Sequence, residues 1–510
     1  MIFAILVVVI LVAFCVFHAE YQHRNGIYPP GPRPLPFIGN LHQIPRTDQW
    51  RKFKKWHEIY GPVISVYLGQ QRVIILGSHD CVRKLLINRG VLYSSRPEYY
   101  SEGVGSHFHN VALPYGRQWR RQREILNSFL SPRHCKSYRI LQDLESKQLI
   151  NDLLSTNDFS KCFHRFAASL TFSLAYGKRM QRGDELEIEE IDGVMRNILE
   201  QVKLPAVAFP VLDLVPDMFA PWKRRARGLF ESQRRIFMAN LDSALCRTHW
   251  SWSKSVMNAK SAKDCDMTEL AYVIGVNYEA GSDTTAFVLE TFVLASLLHK
   301  NAVTTAQAEV DSVTGLRMPG WDDLPRLPYV NAFINEVLRW RPVVPGGLHH
   351  AVTEDDYYLG FKIPKGTPVI PNHWSLELDE THFPDPETFE PKRWIENPDL
   401  PSSAFGFGRR ICPGKPMARN SLAVIVARML WAFHFDPVYD HGEKNEVDSW
   451  SMTQGISSRP KPFKVSLVPR SLAHQEVIRY QWKISEKGDE GLMAQVESGI
   501  AENRAADACI

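Results

Sequence analysis

The chain has 510 residues, of which 44% are hydrophobic, and its formal net charge is +4. This charge is too small to indicate a nucleic-acid partner, while the length and composition allow a large buried core. The eight cysteines are scattered without a Cys-x-x-Cys pair, which argues against a disulfide scaffold or a zinc module. No repeat or low-complexity linker divides residues 45–470, so we predict one large domain there.

The N-terminus is continuously apolar from Ile2 to Phe17, with no Lys or Arg before it. At about 1.5 Å per residue, such a helix nearly spans a hydrocarbon core of about 30 Å. Arg24 and Arg33 follow, which places the next domain on the cytoplasmic side. We therefore predict a membrane anchor over residues 1–20. A cleaved signal peptide is the alternative, but the basic start and small-residue cleavage site are lacking.

Residues 21–44 contain the run from Pro29 to Pro36, which predicts a semi-rigid polyproline-like hinge. Segments Val63 to Leu68 and Gln71 to Leu76 have strand-like composition around a Gly-Gln turn and predict a β-hairpin. Beyond them, the hydrophobic spacing predicts helices at 78–90, 117–130, 137–155, 164–175, 184–203, 223–249, 267–299, 303–315 and 328–340. The predicted fold is mainly α with small β-sheets.

The longest helical pattern runs from Met267 to Lys300 and is apolar enough to resemble a membrane span. Asn277, Glu279, Asp283 and Glu290 lie within it, so we predict a long helix through the protein core instead.

The middle of this helix reads Ala280-Gly281-Ser282-Asp283-Thr284-Thr285. A Thr hydroxyl can bond the carbonyl four residues back, and with a neighbouring Gly it can open a local groove in the helix. An ordinary helix with a polar face is the alternative.

A second helix carries Glu336 and Arg339 on one face and ends at Arg341-Pro342. A Glu-x-x-Arg pair alone is usually a surface ion pair worth less than about 1 kcal/mol. The segment Pro391-Lys392-Arg393-Trp394 follows farther along the chain.

Residues 405–414 place one cysteine in a glycine-rich turn. Gly406, Gly408 and Gly414 let a flat group approach closely. Pro413 suits a first helical position and would direct Cys412 at a helix N-terminus, where free amides and the dipole stabilise a thiolate. This pattern predicts a metal-ligating thiolate, and a buried cysteine in a turn is the alternative.

The same turn resembles the heme-binding signature of the cytochrome P-450 superfamily, Phe-x-x-Gly-x-Arg-x-Cys-x-Gly. Its fixed places are filled by Phe405, Gly408, Arg410, Cys412 and Gly414. The resemblance implies the cytochrome P-450 fold, heme b as cofactor and Cys412 as the axial ligand of its iron. It places Phe405 in the cofactor-binding loop and pairs Arg410 with a heme propionate.

The long helix also matches the family, whose oxygen-activation pattern Ala/Gly-Gly-x-Asp/Glu-Thr falls on Ala280, Gly281, Asp283 and Thr284. The resemblance implies that Asp283 brings in protons and that Thr284 steadies bound oxygen through a hydrogen bond.

Three further motifs of the family are present. Glu336, Arg339 and Arg393 would form a buried network behind the cysteine loop, although the family usually has Glu at Lys392 and Phe at Trp394. The family's Trp-x-x-x-Arg motif is matched by Trp119 and Arg123, and its later propionate-binding His or Arg by His350. The resemblance implies that these residues also bind the heme propionates.

Around Trp119, the other arginines are Arg117, Arg120 and Arg121, and we expect them to attract an acidic electron donor. The alternative is a solvated helix face. No flavin- or dinucleotide-binding fingerprint occurs in the chain, so the NADPH-dependent diflavin reductase implied by the resemblance must be a separate protein.

By the same resemblance, five segments would line a pocket for a lipophilic small molecule: Ser101 to Leu113, Leu204 to Trp222, Ile274 to Ala280, Val343 to Leu348 and Met452 to Ser457. Leu204 to Trp222 would either dip into the membrane or serve as a packed connector.

The chain is identified as a member of the microsomal cytochromes P-450, most similar to fungal enzymes of secondary metabolism. The implied reaction inserts one atom of O₂ into the substrate, in a single-pass protein of the endoplasmic reticulum membrane whose catalytic domain faces the cytosol. A reductase-independent isomerase or dehydratase and a heme-binding sensor are the alternatives. Residues 471–510 are expected to be partly disordered or to form a loosely docked helix.

Overall fold

The computed structural model describes residues 27–97, 108–201, 209, 215–440 and 443–508. The predicted anchor at 1–20 lies outside the described residues, as do part of the hinge and parts of two predicted pocket segments, Ser101 to Leu113 and Leu204 to Trp222.

Helices dominate the described chain. They are α1 (Gln49–Tyr60), α2 (His79–Val82), α3 (Arg117–Leu130), α4 (Pro132–Ser137), α5 (Arg139–Asp152), α6 (Phe159–Tyr176), α7 (Leu186–Gln201), α8 (Pro221–Cys246), α9 (Trp252–Met257), α10 (Met267–Leu298), α11 (Lys300–Thr314), α12 (Pro328–Trp340), α13 (His373–Glu377), α14 (Arg393–Glu396), α15 (Lys415–Ala432), α16 (Leu472–Ile484) and α17 (Asp489–Ala508). A π-helical segment, Arg83–Asn88, continues α2.

The strands are short. They are β1 (Val63–Leu68), β2 (Gln71–Leu76), β3 (His350–Ala351), β4 (Asp356–Tyr358), β5 (Phe361–Ile363), β6 (Pro368–Pro371), β7 (Phe433–Pro437), β8 (Tyr439–Asp440), β9 (Glu443–Lys444) and β10 (Val465–Pro469). The largest sheet has the order β1-β2-β6-β3, and the other strands form the pairs β4-β5, β7-β10 and β8-β9. The expectation of a mainly helical fold with small sheets is confirmed.

The predicted β-hairpin is present with the expected bounds. β1 and β2 pair antiparallel from Val63 opposite Leu76 to Leu68 opposite Gln71. Gly69 has a φ of +61°, a conformation that glycine adopts without steric cost and that the tight turn requires. β2 then pairs in parallel with β6, which brings the chain before and after α12 into one sheet.

Helix α10 is the central core helix that the sequence predicted. Among the described residues it is the one helix long and apolar enough to cross a membrane, yet 67% of its most apolar stretch is buried inside the protein. It packs along α6, where the rings of Phe172 and Tyr278 meet edge to face with centroids 5.5 Å apart. Its hydrophobicity therefore serves the protein core.

Several predicted helix bounds change in the structure. The segment predicted as one helix over 137–155 lies in α4 and α5, and α4 starts earlier because the Ser131 hydroxyl caps it with Pro132 in its first turn. Part of the helix predicted over 78–90 is π-helical. Helix α1 has no counterpart among the predicted elements.

The C-terminal residues form α16 and α17, in place of the expected partial disorder or loosely docked helix. Met493 and Val496 of α17 are completely buried, and α17 packs against α4 and α5. Asn503 Nδ2 also donates to Ser137 Oγ over 2.9 Å. The apolar residues of α17 are diluted by charges, so their burial becomes evident only once the facing surface of α4 and α5 exists.

Candidate active site

The cysteine loop is held against the neighbouring chain by its glycines. Gly408 has a φ of +54°, and a Cβ atom there would lie 2.2 Å from the Leu86 carbonyl oxygen. The Cys412 amide donates to the Phe405 carbonyl over 2.8 Å, which closes the turn. A side chain at Gly408 would therefore displace the loop from the π-helical segment.

The helix behind the loop begins later than predicted. α15 starts at Lys415 with Gly414 at its N-cap, so Pro413 precedes the helix and Pro416 stands in its first turn. The expectation that Pro413 opens the helix is wrong, because the turn of Cys412 and Pro413 is completed before helical geometry begins. Cys412 nevertheless lies at a helix N-terminus, as predicted.

The Cys412 side chain is exposed, although the protein surrounds it on nearly all sides. This combination indicates a recess at the sulfur. Burial raises the pKa of its thiol, and this is opposed by the amides of Gly414 and Lys415 and by the charge of Arg123. A cation bound at the sulfur would complete the stabilisation of the thiolate.

Helix α10 also exposes side chains at its middle, although most of the helix is buried. Ala280 is exposed although Glu279 and Ser282 beside it are buried, and Thr284, one turn later, is half-buried. The Thr284 hydroxyl donates to the Ala280 carbonyl over 2.8 Å, which is the hydrogen bond that the sequence pattern predicts. α10 also packs against α15, so the helix that follows Cys412 and the helix that carries Thr284 are neighbours.

Asp283 points to a different neighbour. Its Oδ1 lies 3.5 Å from Nε2 of His164 on α6, and about a third of its side chain is exposed. No local pattern predicts this contact, because His164 belongs to another helix and to no motif.

Arg410 is surrounded by backbone carbonyls. It donates to Ser94 over 2.7 Å and to Leu113 over 2.6 Å, and its guanidinium carbon lies 4.3 Å from the ring centre of Trp119. Burial lowers the pKa of Arg410 to about 8, and the charge of Arg123 contributes. Within the described parts of the chain, neither arginine forms an ion pair with a carboxylate. Two largely desolvated cations in this arrangement call for an anionic ligand.

His350 uses one ring nitrogen in a contact with the backbone. Its Nδ1–H donates to the Tyr93 carbonyl over 2.7 Å, and burial together with the charge of Arg96 keeps its pKa well below the usual range. A neutral imidazole in this tautomer has no second N–H for a carboxylate. Arg96, which sequence reasoning missed, is buried near Arg410 and donates to Val111. No local pattern marks Arg96, since it joins the group through the contact of Ser95 with Ala351.

The structure brings Glu336, Arg339 and Arg393 together. Arg339 donates to both carboxylate oxygens of Glu336 over 2.8 and 2.7 Å, and Arg393 Nε reaches Oε1 over 3.2 Å. Glu336 and Arg339 are completely buried. Trp394, where the family usually has Phe, donates its indole N–H to Glu336 over 2.9 Å. The substitution thus adds a hydrogen bond to a buried carboxylate.

The three other arginines of helix α3 have different surroundings, although the sequence predicted one common role for them. Arg121 forms an ion pair with the buried Glu269 of α10, so it is not available to a partner protein. Arg117 is exposed and faces Asp264 at 3.5 Å. Arg120 is also exposed and, together with Arg409 of the cysteine loop, packs on the ring of Tyr115.

A buried carboxyl group lies beside Ala280. Both oxygens of Glu279 accept from Gln233 Nε2, over 2.8 and 3.1 Å. Burial raises the pKa of Glu279 to about 8, and the negative charges of Asp283 and Asp192 contribute. Glu279 is therefore mostly protonated at neutral pH.

This burial predicts a pH-dependent stability. The pKa of Glu279 is 4.5 as an ordinary value and about 8 in the folded protein. Below pH 4.5 the carboxyl group is neutral in both the folded and the unfolded state, so the full free energy of unfolding is present. As the pH rises towards 8, the unfolded state loses this proton more readily than the folded state, and the free energy of unfolding falls. The loss is about 1.4 kcal/mol per pH unit at most. We expect Glu279→Gln to remove it, so that the melting temperature of the variant exceeds that of the wild type by more at pH 8 than at pH 6. Parallel melting temperatures across this range would contradict the prediction.

The residues present fit a heme. The Cys412 thiol is exposed although protein surrounds it, and α10 exposes Ala280 beside a half-buried Thr284 hydroxyl. Arg410 and Arg123 form no ion pair with a carboxylate among the described residues. These are the donors that a flat, iron-containing dianion requires.

Comparison with known proteins agrees with this chemistry. The profile of the family described as cytochrome P-450 matches residues 29–467. Cytochrome P-450 monooxygenase FrzL of Cladobotryum sp is 42% identical over 486 residues, which are 94% of either chain. Cytochrome P-450 monooxygenase aneD of Aspergillus aculeatus is 40% identical over 488 residues, 94% of this chain and 95% of the relative. A third, drtD of Aspergillus calidoustus, is 39% identical over 482 residues, 93% and 92% of the two chains.

Proposed function

The chain belongs to the cytochrome P-450 family of heme-dependent monooxygenases, and from this we propose that Cys412 is the axial ligand of its heme iron. The observation that carries the proposal is the Cys412 side chain, which is exposed although the protein surrounds it, and which lies beside the Gly414 and Lys415 amides. When bound, the heme iron supplies the oxidising chemistry that puts one atom of O₂ into the substrate and releases the other as water. The test is the spectrum of the reduced, carbon monoxide-treated protein, in which thiolate ligation gives a band near about 450 nm.

Arg410 and Arg123 would hold the propionates, with Trp119 beside them and Phe405 in the loop below. Their charges lie in a desolvated region, where a carboxylate partner is bound more strongly than at the surface. His350 would take part only when protonated, since its neutral Nδ1–H is used by the Tyr93 carbonyl. Arg96, also buried nearby, adds positive charge.

Thr284 and Asp283 of α10 would accept a hydrogen bond and deliver a proton, respectively. Because the Thr284 hydroxyl donates to the Ala280 carbonyl, its lone pairs remain free to accept a hydrogen bond from a water or a protonated oxygen. Asp283 would supply the proton, held at a carboxylate oxygen until it is passed on.

The substrate we propose is a lipophilic small molecule. The segment Val343 to Leu348 lies against the turn from Met452 to Ser457, where Ser458 N–H donates to the Val343 carbonyl over 2.7 Å. Both segments were predicted to line the pocket. Ile274 of the third predicted segment is completely buried in the core, so the exposed part of α10 is better marked by Ala280. The fungal origin of the relatives supports a role in secondary metabolism.

Membrane attachment is proposed at the endoplasmic reticulum, through residues 1–20 and with the catalytic domain in the cytosol. Exposed apolar side chains near both proposed membrane contacts support it. Phe37 after the proline-rich run is 57% exposed, and Met218 and Phe219 are 69% and 64% exposed. A lipophile dissolved in the bilayer would then reach the protein directly.

The electron donor we propose is an NADPH-dependent diflavin reductase that binds the exposed cations beside the cysteine loop. Replacing both Arg120 and Arg409 by Glu should slow NADPH-driven heme reduction about tenfold or more at low salt, with the difference narrowing as salt rises. The measurement is stopped-flow formation of the carbon monoxide complex with purified reductase.

Arg234→Glu combined with Arg235→Glu is the matched control, because this pair makes the same charge change at two exposed sites on α8. Equal slowing in the control and the double variant would show a general effect of net charge. Unchanged reduction in the double variant would place the donor elsewhere.

A further inference from the structure

His164 of α6 lies between two carboxylates from two other helices. Its Nε2 is 3.5 Å from Asp283 Oδ1 on α10 and 3.4 Å from Asp192 Oδ2 on α7. Between a quarter and a third of each of the three side chains is exposed. The group is therefore a half-buried cluster that reaches both solvent and the proposed proton donor.

The charges around His164 favour its protonated form. Burial lowers the pKa of His164, but Asp192 and Asp283 more than offset this and raise it to about 9. On the α10 side, Tyr278 and Glu279 also interact with both aspartates, and burial keeps Tyr278 neutral and Glu279 mostly neutral at pH 7. An imidazolium thus stands beside the Asp283 carboxylate under ordinary conditions.

Arg165, the next residue of α6, forms an ion pair that is purely structural. Arg165 Nη1 contacts Glu145 Oε2 at 2.6 Å, and both side chains are almost completely buried. Arg165 is always charged and cannot release a proton, whereas an imidazolium can. His164 makes longer contacts and is open to water, which suits exchange of protons better than rigid bracing.

We propose that His164 is a positioning residue that turns the Asp283 carboxylate towards α6 and passes protons to it from solvent. This rests on the proposed role of Asp283. The Nε2–H bond of the imidazolium breaks as an O–H bond forms on Asp283 Oδ1. His164 then takes a proton from a solvent water, and the hydroxide left behind returns to bulk solvent, where a buffer acid neutralises it. Asp283, now neutral, loses its attraction to His164 and is free to turn towards Thr284.

The first test measures His164 itself in the full-length holoenzyme. Its ring is followed by NMR against pH in protein with ¹³C-labelled histidine, in the diamagnetic reduced carbon monoxide form, with His164→Gln used for assignment. We expect titration near pH 9 in the wild type, and a lower midpoint in Asp192→Asn and in Asp283→Asn. A midpoint at the ordinary value, or one that neither substitution moves, would overturn the proposal.

The second test measures proton supply as NADPH consumption by the holoenzyme with saturating reductase in H₂O and D₂O. His164→Gln should slow consumption about tenfold or more and enlarge the solvent isotope effect. His249→Gln, which makes the same change at a histidine bonded to the Gly177 carbonyl, should match the wild type.

Different results would contradict the proposed role of His164 and the proposed role of Asp283. If Asp283→Asn slows consumption and His164→Gln does not, the relay through His164 is wrong and the role of Asp283 stands. If both variants consume NADPH at the wild-type rate with the wild-type isotope effect, the proposed role of Asp283 fails as well.

Discussion

Cys412→Ser is expected to abolish the absorption band near about 450 nm of the reduced carbon monoxide complex, together with NADPH-dependent oxygenation. Serine has nearly the same shape, so the loop closed by the Cys412 amide and the Phe405 carbonyl should remain. What is lost is the thiolate, which pushes electron density towards the iron and favours O–O cleavage. The measurement is the reduced difference spectrum of purified protein, with heme content determined separately.

Cys246→Ser is the matched control, because Cys246 is also exposed but lies at the end of α8. We expect its spectrum to equal that of the wild type. A Cys412→Ser protein that kept the band would refute the ligand assignment, and a Cys246→Ser protein that lost it would assign the ligand to Cys246.

Arg339→Met is expected to lower the free energy of unfolding by about 3–5 kcal/mol, since it leaves the buried carboxylate of Glu336 without its main partner. Arg339 also donates to the carbonyls of Glu377 and Pro386, over 2.8 and 2.7 Å, so the end of α13 and the segment that follows it lose a common contact. Methionine fills much of the same volume, which limits the contribution of a cavity. Thermal unfolding and heme release should both occur at lower temperature.

Arg83→Met is the control for this prediction. Arg83 pairs with Asp80 at the same i, i+3 spacing, but the two side chains are 64% and 69% exposed. We expect a loss of about 1 kcal/mol or less there. Equal effects at the two sites would mean that burial of the Glu336 network contributes nothing beyond an ordinary surface pair.

Glu336→Gln with Arg339→Met tests whether the cost comes from the stranded charge. The double variant should be less destabilised than the sum of the single variants, because the charges of Glu336 and Arg339 are then both absent and only Arg393 loses a partner. Additive losses would attribute the effect to packing alone.

The sequence was sufficient to predict those structures that depend on residues close together in the chain. The Val, Ile and Tyr content of the segments around Gly69 specifies the hairpin of β1 and β2. The apolar length of Met267 to Leu298 specifies a helix whose internal charges exclude a lipid environment. The helical repeat places Glu336 and Arg339 on one face. The glycine pattern indicates a tight turn that presents Cys412.

Only the tertiary structure decided which of these pieces meet. His164 meets Asp283, Arg96 comes near Arg410, and α17 covers α4 and α5 through contacts between segments far apart in the chain. Periodicity and turn chemistry act over a few residues, whereas such contacts depend on how whole helices pack around α10. The sequence by itself therefore determined the thiol-bearing turn and the core helix, and the packing of α6 and α7 on α10 decided what stands beside the proposed proton donor.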